Sequence, residues 1–157
     1  MQSIPLFLTR FCITAWIGAA VLFVVVGVSE VVYPGFSSEI RDQLVLLRFP
    51  WFYRFGFALN GLALLSAIIA QPGGEFPLGR KRAVIVLLIL SLVVMAADYS
   101  VIYLPLAEAV TPPGKPRTPE FASLHRASMW VNLAGLLLCS AAAGLVNWPA
   151  KSISQAT

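Results

Sequence analysis

Four polar side chains that could do chemistry stand inside otherwise apolar stretches of this sequence. A carboxylate and an imidazole can hold a proton or a cation, and carboxamides can orient a polar group by hydrogen bonds. An ionisable side chain at the centre of a membrane helix costs about 2.5–3.5 kcal/mol on insertion scales, so it normally faces the interior of a bundle. We therefore expect the four to converge there and to bind or pass a small polar or cationic solute: Asp98, His125, Asn132 and Asn60.

The spacing of these residues places them on defined helix faces. In one apolar stretch Ser91, Asp98 and Pro105 recur at seven-residue steps and share a face. In the last stretch a narrow polar stripe is formed by His125, Ser128, Asn132 and Cys139. Glu30 and Arg54 lie nearer the ends of their stretches, and we expect them at the mouth of the interior site.

A structural role for the same residues is the alternative. Asn60, Ser128 and Asn132 could simply hydrogen-bond to neighbouring helices, at about 0.6 kcal/mol each on average. Asp98 could form a structural pair whose partner is one of three residues: Arg54, Arg126 or His125. The protein would then be a structural or partner-binding membrane subunit without transport or catalysis.

The sequence argues against several chemistries and supports no particular reaction. One histidine cannot supply bis-histidine haem ligation, and with scattered carboxylates it is a poor zinc or copper site. Cys12 and Cys139 both fall in apolar segments, which excludes a loop disulfide framework. No phosphate-binding glycine loop, nucleophile elbow or HExxH motif occurs. We expect no catalytic residues, metal or cofactor. A membrane enzyme is a third hypothesis, and it would need a water-filled cavity lined by Asp98 and His125 within hydrogen-bond reach.

The elements that must position the polar residues are membrane helices. The 157 residues are 59% apolar and only 11% charged, with a mean hydropathy of +0.83, whereas a soluble domain is about 25% charged. Residues 11–29 carry no charge and cover roughly 28 Å as a helix, close to the hydrocarbon thickness of a bilayer. We predict an all-α, four-transmembrane-helix bundle forming one domain over residues 1–157, with spans at about 9–32, 51–71, 83–106 and 119–148.

The segments between the spans carry their own signals. The stretch YPGFSSEIRDQLVLLRFP predicts a loop with a short amphipathic helix lying in the membrane interface, capped by Ser38. Pro105 is expected to kink or end the third span. Thr118-Pro119-Glu120 is typical of a helix N-terminus, and it opens the fourth span. The first apolar run is expected to be a retained helix rather than a cleaved signal peptide.

Small residues predict where the helices approach one another. Gly18, Gly56 and Gly61 are the clearest candidates, because membrane helices pack closely where side chains are small. Cys12 and Cys139 are expected to be small core residues.

Orientation and partners follow from the placement of charge. Four spans put both termini on one side, which carries five Lys or Arg residues (10, 80, 81, 82 and 151) against six on the other (41, 48, 54, 115, 117 and 126). The compact Arg80-Lys81-Arg82 cluster favours cytoplasmic termini in a plasma membrane. The lipid bilayer is the expected partner, and a homo-oligomer is possible because four helices enclose little volume. No basic stripe with interleaved aromatics suits nucleic acid.

Two segments resemble the transmembrane-protein-205-like domain family, four-helix membrane proteins without a settled biochemistry. LRFPWFYRFGFALNGLALL is similar to the entry of that family's second span. FASLHRASMWVNLAGLL resembles its signature in the fourth span, at Phe121, Leu124, His125, Ser128, Asn132 and Leu133. Arg126 stands where the family usually has glycine, and the family's glycine-containing motif between spans one and two is not evident. The resemblance implies a four-helix membrane domain and no activity.

Overall fold

The computed structural model describes residues 4–74 and 76–149, in which every regular element is a helix and no strand occurs. Its elements are α1 (Ile4–Val32), α2 (Ser38–Ile69), α3 (Leu78–Ala97), a π-helical segment (Asp98–Tyr103), α4 (Leu104–Ala109) and α5 (Pro119–Asn147). α3, the π-helical segment and α4 are continuous, so these described residues form four helices long and apolar enough to cross a membrane. The predicted all-α bundle of four spans is confirmed.

The four spans pack in a ring, in the order α1, α2, third span, α5 and back to α1. Arg10 Nε donates a hydrogen bond to the backbone oxygen of Val146 at 3.0 Å, which joins the start of α1 to the end of α5. This end of the bundle is called the terminal end, and the opposite one the far end. The buried core follows the axis of the ring and includes Ile13, Trp16, Ala63, Leu88 and Cys139.

The predicted separate interfacial helix is wrong, and Ser38, its predicted cap, is the first residue of α2. Ser37 is the N-cap of α2, with its hydroxyl accepting from the Ile40 N–H at 3.3 Å, and α2 continues from Ser38 through Pro50 into the second span. A proline removes its own N–H from the helix ladder and crowds the carbonyl four residues earlier, and membrane helices tolerate both effects. The amphipathic segment is therefore the first part of a long helix.

The third span also continues as a helix beyond its proline, Pro105. In an α-helix the ring of Pro105 would press against the carbonyl of Val101, four residues earlier. The backbone widens into the π-helical segment just before it, and the Leu104 N–H donates to Tyr99 O, five residues back. The span then continues to Ala109 instead of ending near residue 106.

Basic residues close the helix ends at the terminal end. Lys81 Nζ donates to the backbone oxygens of Ile68 and Ala70, both at 2.7 Å, at the end of α2. Arg80 Nη1 donates to Trp148 O at 2.7 Å, just past α5. Terminal helix carbonyls lack partners within the helix and attract cations, so these residues satisfy them and link neighbouring spans.

At the far end a buried carboxylate fastens the loop between α4 and α5. Asp42, 0% exposed, accepts the Gly114 N–H at 2.8 Å through Oδ2 and pairs with Arg117 Nη2 through Oδ1. Gly114 has a φ of +88°, a left-handed conformation that glycine adopts without strain. Asp42 therefore holds the loop against the first turns of α2.

Replacing Asp42 by alanine is expected to release this loop. Hydrogen bonds to a charged group contribute about 1.5–3 kcal/mol, so losing both contacts should raise local opening roughly tenfold or more. Limited trypsin digestion after Arg117 measures this opening. Glu108→Ala, at an exposed carboxylate of α4, is the control and should be cleaved at the wild-type rate. Equal cleavage of Asp42→Ala and wild type would contradict a fastening role.

Candidate functional site

Asp98 is the buried carboxylate at the centre of the site. It begins the π-helical segment and is 1% exposed. Its Oδ2 accepts two hydrogen bonds, from the Tyr53 hydroxyl of α2 at 2.5 Å and from Asn132 Nδ2 of α5 at 2.7 Å. Its Oδ1 is buried and has no hydrogen-bond partner among the described residues. The carboxylate thus links three spans while one oxygen stays unpaired.

Ring packing and hydrogen bonds fix the orientation of Tyr53 and Asn132, the two donors to Asp98. The Tyr53 ring lies 5.0 Å from both the Tyr99 and the Tyr103 rings, centroid to centroid, and the residue is 1% exposed. Asn132 Nδ2 also lies 2.9 Å from Ser128 O and 3.1 Å from Ser128 Oγ, which orients the amide. Both donors are therefore positioned before any ligand arrives, as a binding site requires.

Asp98 has no counter-charge within the parts of the chain that the structure describes. The three partners considered from the sequence, Arg54, Arg126 and His125, are all exposed, so the predicted structural ion pair is wrong. The ion pairs seen, Glu30 with Arg48 and Asp42 with Arg117, lie elsewhere.

Asn60 lies in a second polar layer. It is 0% exposed, and its Nδ2 donates to Gly56 O at 2.9 Å. Cys139 Sγ lies 3.2 Å from Asn60 Oδ1 and 3.0 Å from Ser91 Oγ. This layer joins α2, α3 and α5 without contacting Asp98. The expected convergence of Asp98 and Asn132 is confirmed, and Asn60 faces the interior but belongs to a different set of hydrogen bonds.

The expectation that His125 joins the interior site is wrong. Its imidazole is exposed and stacks on Phe121, with ring centroids 5.9 Å apart. At this end of α5 the residues lining the groove against α4 are Glu120, Phe121 and Leu124, and His125 is not among them. His125 follows Leu124 by one residue, which turns its side chain by about 100° around the helix axis.

Glu30 and Arg54, which were expected together at the mouth of the site, have different partners. Glu30 forms an ion pair of 2.7 Å with Arg48. Arg54 is exposed, and its guanidinium carbon lies 5.1 Å from the centre of the Trp51 ring. Arg54 therefore takes no part in the interior site.

Sequence reasoning missed Tyr53, which has the shortest hydrogen bond to Asp98. Its place among Trp51, Phe52 and Phe55 makes it look like part of an aromatic membrane boundary. The available signal was its position seven residues before Asn60, which puts both on the same face of α2.

The site has the chemistry of a single carboxylate. The described residues contain no group of three His, Cys, Asp or Glu side chains that could hold a metal ion. One unpaired oxygen, with two donors on the other, can accept a proton, a small cation or one hydrogen-bond donor. Comparison of the chain with protein-family models, curated proteins and solved structures gives no match.

Proposed function

We propose that this chain is a multi-pass membrane protein whose Asp98 binds a small cationic solute inside the bundle, and that this solute is the proton. The observation that carries the proposal is the unpaired Oδ1 of a carboxylate that is 1% exposed. A carboxylate out of water and without a counter-ion costs several kcal/mol, and binding a proton removes that cost.

The limited space supports the proton over larger solutes. Asp98 is 1% exposed, and it lines neither the surface groove between α1 and α2 nor the one between α4 and α5. Tyr53 and Asn132 both donate hydrogen bonds to Oδ2 of Asp98, so a single ligand atom at Oδ1 leaves neither carboxylate oxygen without a partner.

Removing the carboxylate should abolish proton movement while leaving the bundle folded. Asparagine has nearly the shape of aspartate but cannot take up a proton, so Asp98→Asn should bring proton flux to the level of protein-free vesicles. The measurement is acidification of proteoliposomes loaded with a pH-sensitive dye under an imposed potential. Glu108→Gln neutralises an exposed carboxylate of the same span and should keep wild-type flux. Wild-type flux in Asp98→Asn, or none in the wild type, would contradict the proposal.

A structural or partner-binding role is the second candidate. The observation that favours it is the linkage of spans by the two polar layers, Tyr53–Asp98–Asn132 and Asn60–Cys139–Ser91. In this case the polar residues hold helices together and no solute binds.

We also propose membership of the transmembrane-protein-205-like family, together with cytoplasmic termini in a plasma membrane. In support of the first, two positions of the family signature, Ser128 and Asn132, contribute to the Asp98 site. In support of the second, the Arg80-Lys81-Arg82 cluster lies at the terminal end of the bundle.

A further inference from the structure

A lipid-facing groove between α1 and α2 combines aromatic walls with a cation. Its volume is about 490 Å³, within the range of roughly 300–1,000 Å³ typical of ligand pockets. It is lined by Trp16, Ala19 and Phe23 of α1 and by Leu47, Arg48, Trp51, Phe52 and Phe55 of α2. We call it the α1/α2 groove.

The groove is open along one side. Leu47, Trp51 and Phe55 stand on its outer wall at 65%, 63% and 51% exposure. Ala19 lies between the larger side chains of Trp16 and Phe23 on α1, and its small size leaves the space free. An apolar chain can therefore enter sideways from the bilayer.

Arg48 supplies the single charge in the lining. Its Nη2 pairs with Glu30 at 2.7 Å, and its guanidinium carbon lies 5.1 Å from the centre of the Phe23 ring. Its Nε and Nη1 are buried and have no hydrogen-bond partner among the described residues. A guanidinium can hold two oxygens of one anion side by side on the edge formed by Nη1 and Nη2. Nη1 is without a partner and Nη2 carries a second N–H, so this edge can bind a second acceptor.

The groove also has the right direction for a membrane lipid. Arg48 lies near the far end, beside Glu30 and the last turns of α1. The seven residues from Arg48 to Phe55 cover about 10 Å of helix, and one leaflet of hydrocarbon is about 15 Å thick. A headgroup at Arg48 would send its acyl chain along the aromatic walls toward the middle of the bilayer.

We propose that the α1/α2 groove binds an acidic phospholipid, with its phosphate on Arg48 and one acyl chain between Trp16, Phe52 and Phe55. Binding includes a turn of the Arg48 side chain that brings Nη1 and one N–H of Nη2 to the phosphate, while the other N–H of Nη2 keeps Glu30. The proposal is independent of proton binding at Asp98.

Fluorescence quenching by brominated lipids tests the proposal. In a Trp130→Phe/Trp148→Phe background the remaining tryptophans, Trp16 and Trp51, both line the groove. The protein is reconstituted in phosphatidylcholine vesicles with increasing fractions of dibrominated phosphatidylglycerol or, in parallel, dibrominated phosphatidylcholine. Half-maximal quenching should need a several-fold lower fraction of the acidic lipid. Equal fractions would overturn the proposal.

Variants separate the charge from the apolar walls. Arg48→Gln should remove the preference for the acidic lipid, and Arg48→Gln/Glu30→Gln should do the same without leaving an unpaired glutamate. Ala19→Leu fills the groove and should raise the fraction of acidic lipid needed. Arg126→Gln, at an exposed arginine of α5, should keep the preference. A preference that survives in the double variant, or is lost equally in Arg126→Gln, would contradict binding at Arg48.

Discussion

Gly56→Ala is expected to lower the free energy of unfolding by about 1–3 kcal/mol, the usual cost of overpacking a core. A Cβ at this position would lie 2.7 Å from Trp16 Cη2 and 2.9 Å from Met95 Cε. The methionine end can move aside, but the indole ring is held among core residues and is 4% exposed. The loss is measured by unfolding in mixed micelles with increasing dodecyl sulfate.

A second glycine of α2 provides a matched control. Gly61 lies five residues later, and a Cβ there would meet nothing within 4 Å. Gly61→Ala should therefore leave stability nearly unchanged. An equal loss in both variants would assign the effect to the helix backbone rather than to the contact with Trp16.

Replacing the whole interior polar cluster by apolar residues is expected to preserve the fold and abolish proton flux. The variant is Asp98→Leu/Tyr53→Phe/Asn132→Leu. Removing the carboxylate together with both of its donors leaves no unpaired charge, and such replacements are often neutral or stabilising. Ser128 Oγ loses its contact with Asn132, but a helical serine can donate instead to the carbonyl four residues earlier. Tyr53→Phe alone should cost about 1–2 kcal/mol, because it takes a donor from a buried carboxylate. Unfolding free energy and proteoliposome flux are measured on the same preparations.

The triple variant distinguishes the two candidate functions. Proton binding predicts a variant about as stable as the wild type and without flux. The structural role predicts a loss of stability at least as large as that of Tyr53→Phe, with no flux in the wild type to lose.

The spans could be predicted because their signal is length and apolarity alone. A run such as residues 11–29 has few ways to satisfy its backbone in a bilayer except as a helix. The same reasoning began the second span only after Pro50 and expected the third span to kink or end at Pro105, whereas both helices continue past their prolines. A long apolar segment tolerates a proline when the backbone adjusts locally, as the π-helical segment does before Pro105.

The inward direction of Asp98 and Asn132 was predictable, because polar residues in lipid must find partners. The exposed position of His125 was not predictable. Helical periodicity shows which residues share a face, but it does not show how much of that face is covered by neighbouring helices. The same limit applies to glycines: of Gly18, Gly56 and Gly61, a Cβ would meet another helix only at Gly56.

The ion pair between Glu30 and Arg48 depends on the rotation of α2 against α1. The sequence pattern of a single helix does not show the angle by which that helix is rotated against its neighbour. The role of Asp42 depends likewise on where a distant loop returns, seventy-two residues along the chain at Gly114.

Hydrogen bonds and an ion pair connect the spans at both ends of the bundle, and these connections limit how a solute could reach Asp98. Carriers with alternating access rock one half of the molecule against the other around a central site. Here Arg10, Arg80 and Lys81 connect neighbouring spans at one end, and Asp42 holds the α4–α5 loop to α2 at the other. Rocking would have to break these connections at each end in turn. The geometry is therefore suited to a solute that moves between side chains while the helices stay together.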